Sequence, residues 1–287
     1  MSGFRMILKK IPGVSLCANI YRGFVFLKRA FALRKKLTEI DLKMPFGGPV
    51  GPLGYDMFCL SDKVVKSLKK VAVNNGVNAT EKYFSVYLTA AEKVAVKELF
   101  DNIGPRIRAY LGKDVCLDGM NWMVSNKNYN SVSENWHTDN VGSRLKVFVC
   151  VSGDQSQPTL VIPSSKRIPG KKEWFFSTFT EAKRWFGYKN HKNIDGEFKL
   201  EHKTGTVYIF DTQLLHRGGY SEATSERIIL NIEFSLPCKH KIARGPIGTS
   251  EMNSFKCSKS LTAIESFSDL LDPNRVRNSN GYFFYKN

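Results

Sequence analysis

The sequence predicts a mainly β chain with flanking helices, its core a sandwich or jelly-roll barrel. Three observations carry this reading. Short runs rich in β-branched and aromatic residues fill the stretch after Val115, each run is bounded by Gly, Asn, Ser, Asp or Pro, and these runs do not alternate with helices as they would in a parallel sheet. At 287 residues and 42% hydrophobic, the chain can bury one substantial core, and no fixed-period repeat or low-complexity tract points to a solenoid or a disordered protein.

The elements follow in order. Residues 1–43 hold ten Lys or Arg against Glu39 and Asp41, and Ile20, Phe24, Leu27 and Phe31 recur at helical spacing with the cations on other faces. That pattern suits either a basic helix packing its Phe side chains on the body or a peripheral contact with an anionic membrane surface. Pro45, Gly47, Gly48, Pro49, Gly51, Pro52 and Gly54 make Met44 to Tyr55 a loop, so residues 1–55 form a basic N-terminal segment ahead of the body. A helix is expected from Ser61 to about Val73. A second begins at Thr89, where Thr89 and Glu92 have capping-box spacing; Pro105 should break or restart it and Gly112 should close it.

Strands are expected at Val115–Leu117, Asn121–Val124, Leu145–Val151, Thr159–Ile162, Glu197–Leu200, Thr206–Phe210 and Arg227–Phe234. Residues 174–188, helical around Thr180 to Phe186, read as an insertion over one end of the barrel. The body therefore spans residues 56–240. Residues 241–287 form a basic, loop-like extension with one short helix at Leu261–Leu271.

A formal charge of +17 bounds the partners. It favours a small anionic substrate, such as a coenzyme A or nucleotide-linked molecule, a phosphorylated sugar or an acidic lipid. Nucleic acid is unlikely as a partner, because charge is unaccompanied by any binding motif. The six cysteines are widely spaced, with no C-x-x-C pair and no secretory leader, which implies free thiols. The apolar stretch Val14 to Ile20 is too short for a signal peptide or a membrane span, so the expected location is the cytoplasm, with or without peripheral membrane contact.

His137 and Asp139 stand two apart, so in an extended segment both side chains leave on one side and can bind one ion. Alone the pair is weak evidence. It is followed by a strand-rich interval, then His216 at the end of the apolar run from Val207, then Arg227 eleven residues later. Two imidazoles and a carboxylate on one face of an ion leave adjacent positions open, the arrangement of non-haem Fe(II) oxygenases. Arg227 then has a task, since the distal carboxylate of a bound 2-oxoglutarate needs a planar, permanently charged partner.

Over about residues 114–236 the chain resembles the phytanoyl-CoA dioxygenase-like family of Fe(II)/2-oxoglutarate-dependent oxygenases. The resemblance rests on Trp136-His137-Thr138-Asp139, the strand Leu145 to Val149, the turn Val161-Ile162-Pro163-Ser164-Ser165-Lys166, the strand Gly205 to Phe210, His216 and Arg227. It implies a double-stranded β-helix (jelly-roll, cupin-like) core. It implies Fe(II) on His137, Asp139 and His216 as the catalytic centre, 2-oxoglutarate on Arg227, and O2 as oxidant. It implies a dioxygenase, most simply a hydroxylase, that releases succinate and CO2. The family's Pro-Gly-Ser-His turn is Pro163-Ser164-Ser165-Lys166 here, and Gly218 stands where a small hydroxyl residue often follows the distal His.

Asn121 and Met123 alternate on a strand just upstream of the metal motif, where Asn121 either donates to 2-oxoglutarate or plays a structural part. Trp122, Trp136 and Tyr208 read as core aromatics, Cys150 as packing, and His191, His202 and His240 as solvated. Lys146, among Leu145, Val147 and Phe148, either points outward or meets an anion. Lys166, Arg167, Lys171 and Lys172 form a basic cluster, read as a solvated loop or an anion contact. Two other classes of function use the same barrel: a non-catalytic metal-binding module at an anionic surface, and a cupin-like metalloenzyme that does not use 2-oxoglutarate. Neither of these requires Arg227.

Overall fold

Alternation along the central strands builds the molecule. In the strand Leu145–Ser152, Leu145, Val147, Val149 and Val151 take one face while Lys146, Phe148 and Cys150 take the other, so one sheet must be covered on both sides by different partners. The computed structural model describes residues 45–78, 83–84, 86, 90–112, 115–125, 136–137, 144–153, 158–163, 194–219, 226–235, 275–277 and 283–285, together with Cys17 and Phe24.

In chain order the elements are β1 (Tyr55–Cys59), α1 (Asp62–Asn74), β2 (Tyr83–Phe84), α2 (Ala90–Leu111), β3 (Cys116–Ser125), β4 (Leu145–Ser152), β5 (Thr159–Val161), β6 (Phe198–Leu200), β7 (Thr206–Asp211), β8 (His216–Gly218), β9 (Arg227–Ser235), β10 (Arg275–Arg277) and β11 (Phe283–Tyr285). A six-stranded sheet runs β1-β7-β4-β9-β3-β2 and a three-stranded sheet runs β6-β5-β8; every pairing in both is antiparallel. From β4 onward the chain passes back and forth between the sheets, with β7 and β9 in the large one and β5, β6 and β8 in the small one. Val161 of β5 and Leu200 of β6 pack in one cluster with Phe148, Tyr208, Phe210 and Ile229 of the large sheet, so the sheets face each other. This is a double-stranded β-helix, as expected.

The opposite face of the large sheet meets α1 and α2. Val147, Val149, Val207, Ile209, Leu230 and Ile232 share a core with Leu68 and Val71 of α1 and with Leu99, Ile103 and Ile107 of α2. Ser61 caps α1 by accepting from Val64 N at 3.5 Å, and Gly76, at φ +68°, supplies the left-handed turn that ends it. Gly112 ends α2 in the same way, at φ +92°.

Four expectations are corrected. Pro105 does not break α2, which runs through it. A mid-helix proline costs about 3 kcal/mol, whereas each fully buried Leu or Ile contributes about 1.5–3 kcal/mol, and Leu99, Ile103 and Ile107 are all sealed against the sheet, so packing wins. The loop expected to include Tyr55 ends at Gly54, where β1 begins as an edge strand on β7. Val115–Leu117 and Asn121–Val124 are parts of the single strand β3, whose register against β9 shifts between Leu117 and Gly119. The basic C-terminal extension, read as loop and helix, holds the β10–β11 hairpin.

Residues 1–43 apart from Cys17 and Phe24, the insertion near 174–188, the cluster Lys166, Arg167, Lys171 and Lys172, the helix expected at 261–271, His191 and His240 all lie outside the described residues. Among the described residues, no helix is long and apolar enough to cross a membrane.

Candidate metal and co-substrate site

His216 does not close the apolar strand, as the sequence suggested, but opens β8 in the facing sheet. The chain gets there through a turn organised by Asp211, the last residue of β7. Its carboxylate accepts from Gln213 N at 2.7 Å and from the Tyr110 hydroxyl at 2.6 Å, and its carbonyl accepts from Leu214 N at 2.9 Å. One fully buried acid thus binds the turn to α2 and fixes where the next strand starts.

His137 is delivered to the same place by backbone pairing. His137 N donates to His216 O and His216 N donates to His137 O, each at 2.9 Å, an isolated antiparallel bridge joining two residues far apart in sequence. The two rings stand 4.3 Å apart between centroids and both residues are buried. His216 Nδ1 lies 2.8 Å from Leu214 O. A carbonyl oxygen only accepts, so Nδ1 is the donor and Nε2 is the nitrogen that would bind a metal, the role such a contact plays around metal-binding imidazoles. Phe210 packs edge-on against the His216 ring at 5.4 Å. This donor set, two paired imidazoles of which one is oriented by a carbonyl, beside the Phe210 ring, fits a divalent transition metal. Asp139, the expected third ligand, lies outside the described residues.

Arg227 opens β9 and faces into the barrel opposite Ser125, the last residue of β3. It is 6% exposed, and its Nε donates to Ser125 Oγ at 2.8 Å. Burial pushes the guanidinium down to about 10, with Cys150 acting in the opposite sense, which still leaves it charged at neutral pH.

His202 corrects the sequence reading outright. It was expected to be solvated, yet it is 0% exposed, with Nε2 2.9 Å from Thr159 Oγ1 and its ring against Phe148 and Tyr208. Burial first, and the Arg227 charge second, hold it well below the usual histidine range, so it is neutral. Gly153 explains how close this corner is: a Cβ there would lie 2.4 Å from His202 O, 3.0 Å from Cys150 Sγ and 3.5 Å from Arg227 Cγ.

Asn121 shares the barrel face with Met123 and Ser125, and its Oδ1 accepts from Asn231 Nδ2 at 2.8 Å across β3 and β9. Asn231 Oδ1 is buried and makes no hydrogen bond among the described residues. Lys146 meets an anion: Glu233 lies 4.0 Å from its ammonium and 3.4 Å from the Arg144 guanidinium. Trp122, Trp136 and Tyr208 are buried, with Trp122 Nε1 donating to Asn75 Oδ1 and the Tyr208 hydroxyl to Glu201 O; the Cys150 thiol donates to His202 O. The sequence reading missed His202, Ser125, Asp211, Asn231 and Glu233. Only Asn231 and Glu233 carried a signal, as polar residues on alternate positions of the apolar run Ile228 to Phe234.

No family model and no curated protein matches the sequence. Solved structures similar to the chain include EvdMO1, at 15% identity and TM-score 0.44 over 66% of this chain and 49% of that one, so the chain spans about half of its length. They include EctD from S. alaskensis with bound Fe, at 16% identity and TM-score 0.46 over 66% of this chain and 75% of that one. They also include the non-heme alpha ketoglutarate dependent epimerase SnoN from nogalamycin biosynthesis, at 12% identity and TM-score 0.49 over 78% of this chain and 89% of that one. By its own topology the chain is a double-stranded β-helix protein that encloses two paired imidazoles and a buried arginine.

Proposed function

We propose that the chain is an Fe(II)- and 2-oxoglutarate-dependent oxygenase that hydroxylates a small, anionic molecule. The observation that carries this is the backbone-bridged pair His137 and His216, their rings 4.3 Å apart, inside the same barrel as the buried Arg227. His137, Asp139 and His216 would hold the metal, and Arg227, fixed by Ser125, would hold the distal carboxylate of the co-substrate. When bound, iron, 2-oxoglutarate and O2 supply the oxidation: the keto acid loses CO2 to become succinate, taking one oxygen atom, and the substrate C–H takes the other.

The chain's own part is placement. Leu214 O fixes the His216 ring, Ser125 fixes the guanidinium edge, and the apolar wall of Phe148, Tyr208, Phe210 and Ile229 keeps water from the reacting groups. The net charge of +17 favours an anionic substrate group. Anaerobic addition of Fe(II) and 2-oxoglutarate should produce a weak visible charge-transfer band that His216→Ala removes. An unchanged spectrum on mixing, with no succinate formed in air, would sink the proposal.

A further inference from the structure

Inside the Arg227 corner one polar atom has no partner. His202 Nδ1 is buried and makes no hydrogen bond among the described residues, although the ring's other nitrogen is engaged by Thr159. Leaving such a group unmet costs about 1–3 kcal/mol, so a fold that keeps one beside a buried guanidinium is keeping it for something that enters. The neighbourhood limits what that can be. The His202 carbonyl and the Arg227 Cγ both lie close to the Cβ position of Gly153, at 2.4 and 3.5 Å. Ser125 fixes the Nε edge of Arg227, and Phe148 and Tyr208 close the corner around the imidazole.

We infer that His202 is a second binding residue for the distal carboxylate of the co-substrate, donating its Nδ1 proton to the anion that Arg227 holds. This rests on the oxygenase reading above. The hydroxyl of Thr159 can donate to Nε2, which places the ring proton on Nδ1, and a carboxylate is the acceptor that a neutral donor beside a cation is suited to meet. A cationic group in the same place would be repelled by Arg227. The residue therefore selects for an acidic far end on the keto acid and adds no further charge to the corner.

Two amide substitutions separate this role from a structural one, because Asn places its nitrogen near Nδ1 while Gln reaches the Nε2 position. Calorimetry with the Zn(II)-loaded protein reads binding of 2-oxoglutarate and of pyruvate, which has the same keto acid head and no distal carboxylate. His202→Gln should weaken 2-oxoglutarate by about tenfold or more, the worth of a hydrogen bond to a charged acceptor, and leave pyruvate unchanged. His202→Asn should bind 2-oxoglutarate within about threefold of the parent. Gln binding as well as the parent, or both variants losing both ligands equally, overturns the inference and leaves the oxygenase reading standing. A parent protein that binds no 2-oxoglutarate overturns both. Nitrogen NMR of the parent protein gives a readout that needs no substitution to fold: 2-oxoglutarate should move the Nδ1 resonance of His202, and pyruvate should not.

Discussion

The large sheet has two faces that are built from the same strands and put to opposite uses. Toward the helices, Leu145, Val147, Val149, Leu230, Ile232 and Phe234 present hydrocarbon alone, all at most 1% exposed. Toward the small sheet, β3, β4 and β9 present Asn121, Ser125, Lys146, Arg227, Asn231 and Glu233 among Phe148 and Ile229. Period-two alternation lets one strand serve both purposes without compromise: the helix face carries the stability that the barrel face gives up by burying polar groups. The two faces should therefore respond to mutation in opposite ways.

The largest effect is expected at the metal. On the proposed function His216→Ala would remove a ligand and should lower succinate formation by on the order of 100-fold or more, while lowering the melting temperature less than a truncation on the helix face does. Next comes Arg227→Ala, which leaves Ser125 in place and should raise the KM for 2-oxoglutarate by on the order of 100-fold, measured from initial rates of succinate release. Ile232→Ala tests the other side. Ile232 is 0% exposed against α1 and α2, so its truncation should cost about 3 kcal/mol of unfolding free energy in a denaturant titration, with turnover per folded molecule unchanged. A stable but inactive Ile232→Ala protein would erase the distinction between the faces.

How much of this the sequence disclosed depended on whether the cause was local. Strand alternation is local, so β4, β5, β7 and β9 were read within a residue or two, and with them the jelly-roll class. His137, His216 and Arg227 stood out by residue type and order, and all three are buried, the two imidazoles side by side. His202 failed for a physical reason: its chain neighbours Glu201 and Lys203 are exposed, and what buries it are Thr159 and Cys150, 43 and 52 positions away. Pro105 failed because helix propensity is a local cost that distant packing outweighed. Tyr55 to Cys59 is a half-exposed edge strand with a weak pattern, and only its pairing with β7 makes it a strand.

A smaller effect is expected at the link between the faces. Tyr110 sits in α2 and donates to the buried Asp211, which in turn shapes the turn leading to His216. Tyr110→Phe deletes that donor and should cost about 1.5 kcal/mol of stability, the lower end for a hydrogen bond to a charged group. Because Asp211 keeps its contact to Gln213 N, the turn should hold and iron affinity, read by competition with a chelator, should change by about threefold at most.

The smallest effect is a slope. His202 has its native pKa held well below 6.5, by burial and then by the Arg227 charge, whereas in the unfolded chain it returns to about 6.5. Between those two values the unfolded state binds a proton that the native state refuses, so stability is complete above pH 6.5 and declines as pH falls below it. One such group contributes a slope of at most about 1.4 kcal/mol per pH unit. Urea titrations of the ligand-free protein between pH 7.5 and 5 should show that His202→Gln, which cannot titrate, has a shallower decline than the parent, by up to that amount. Saturating 2-oxoglutarate should move the parent the same way: a carboxylate beside the imidazole favours its charged form and raises the native pKa toward the unfolded one. If the parent and His202→Gln decline in parallel, His202 is not the buried neutral group of this barrel, and the corner around Arg227 has to be assembled from other residues.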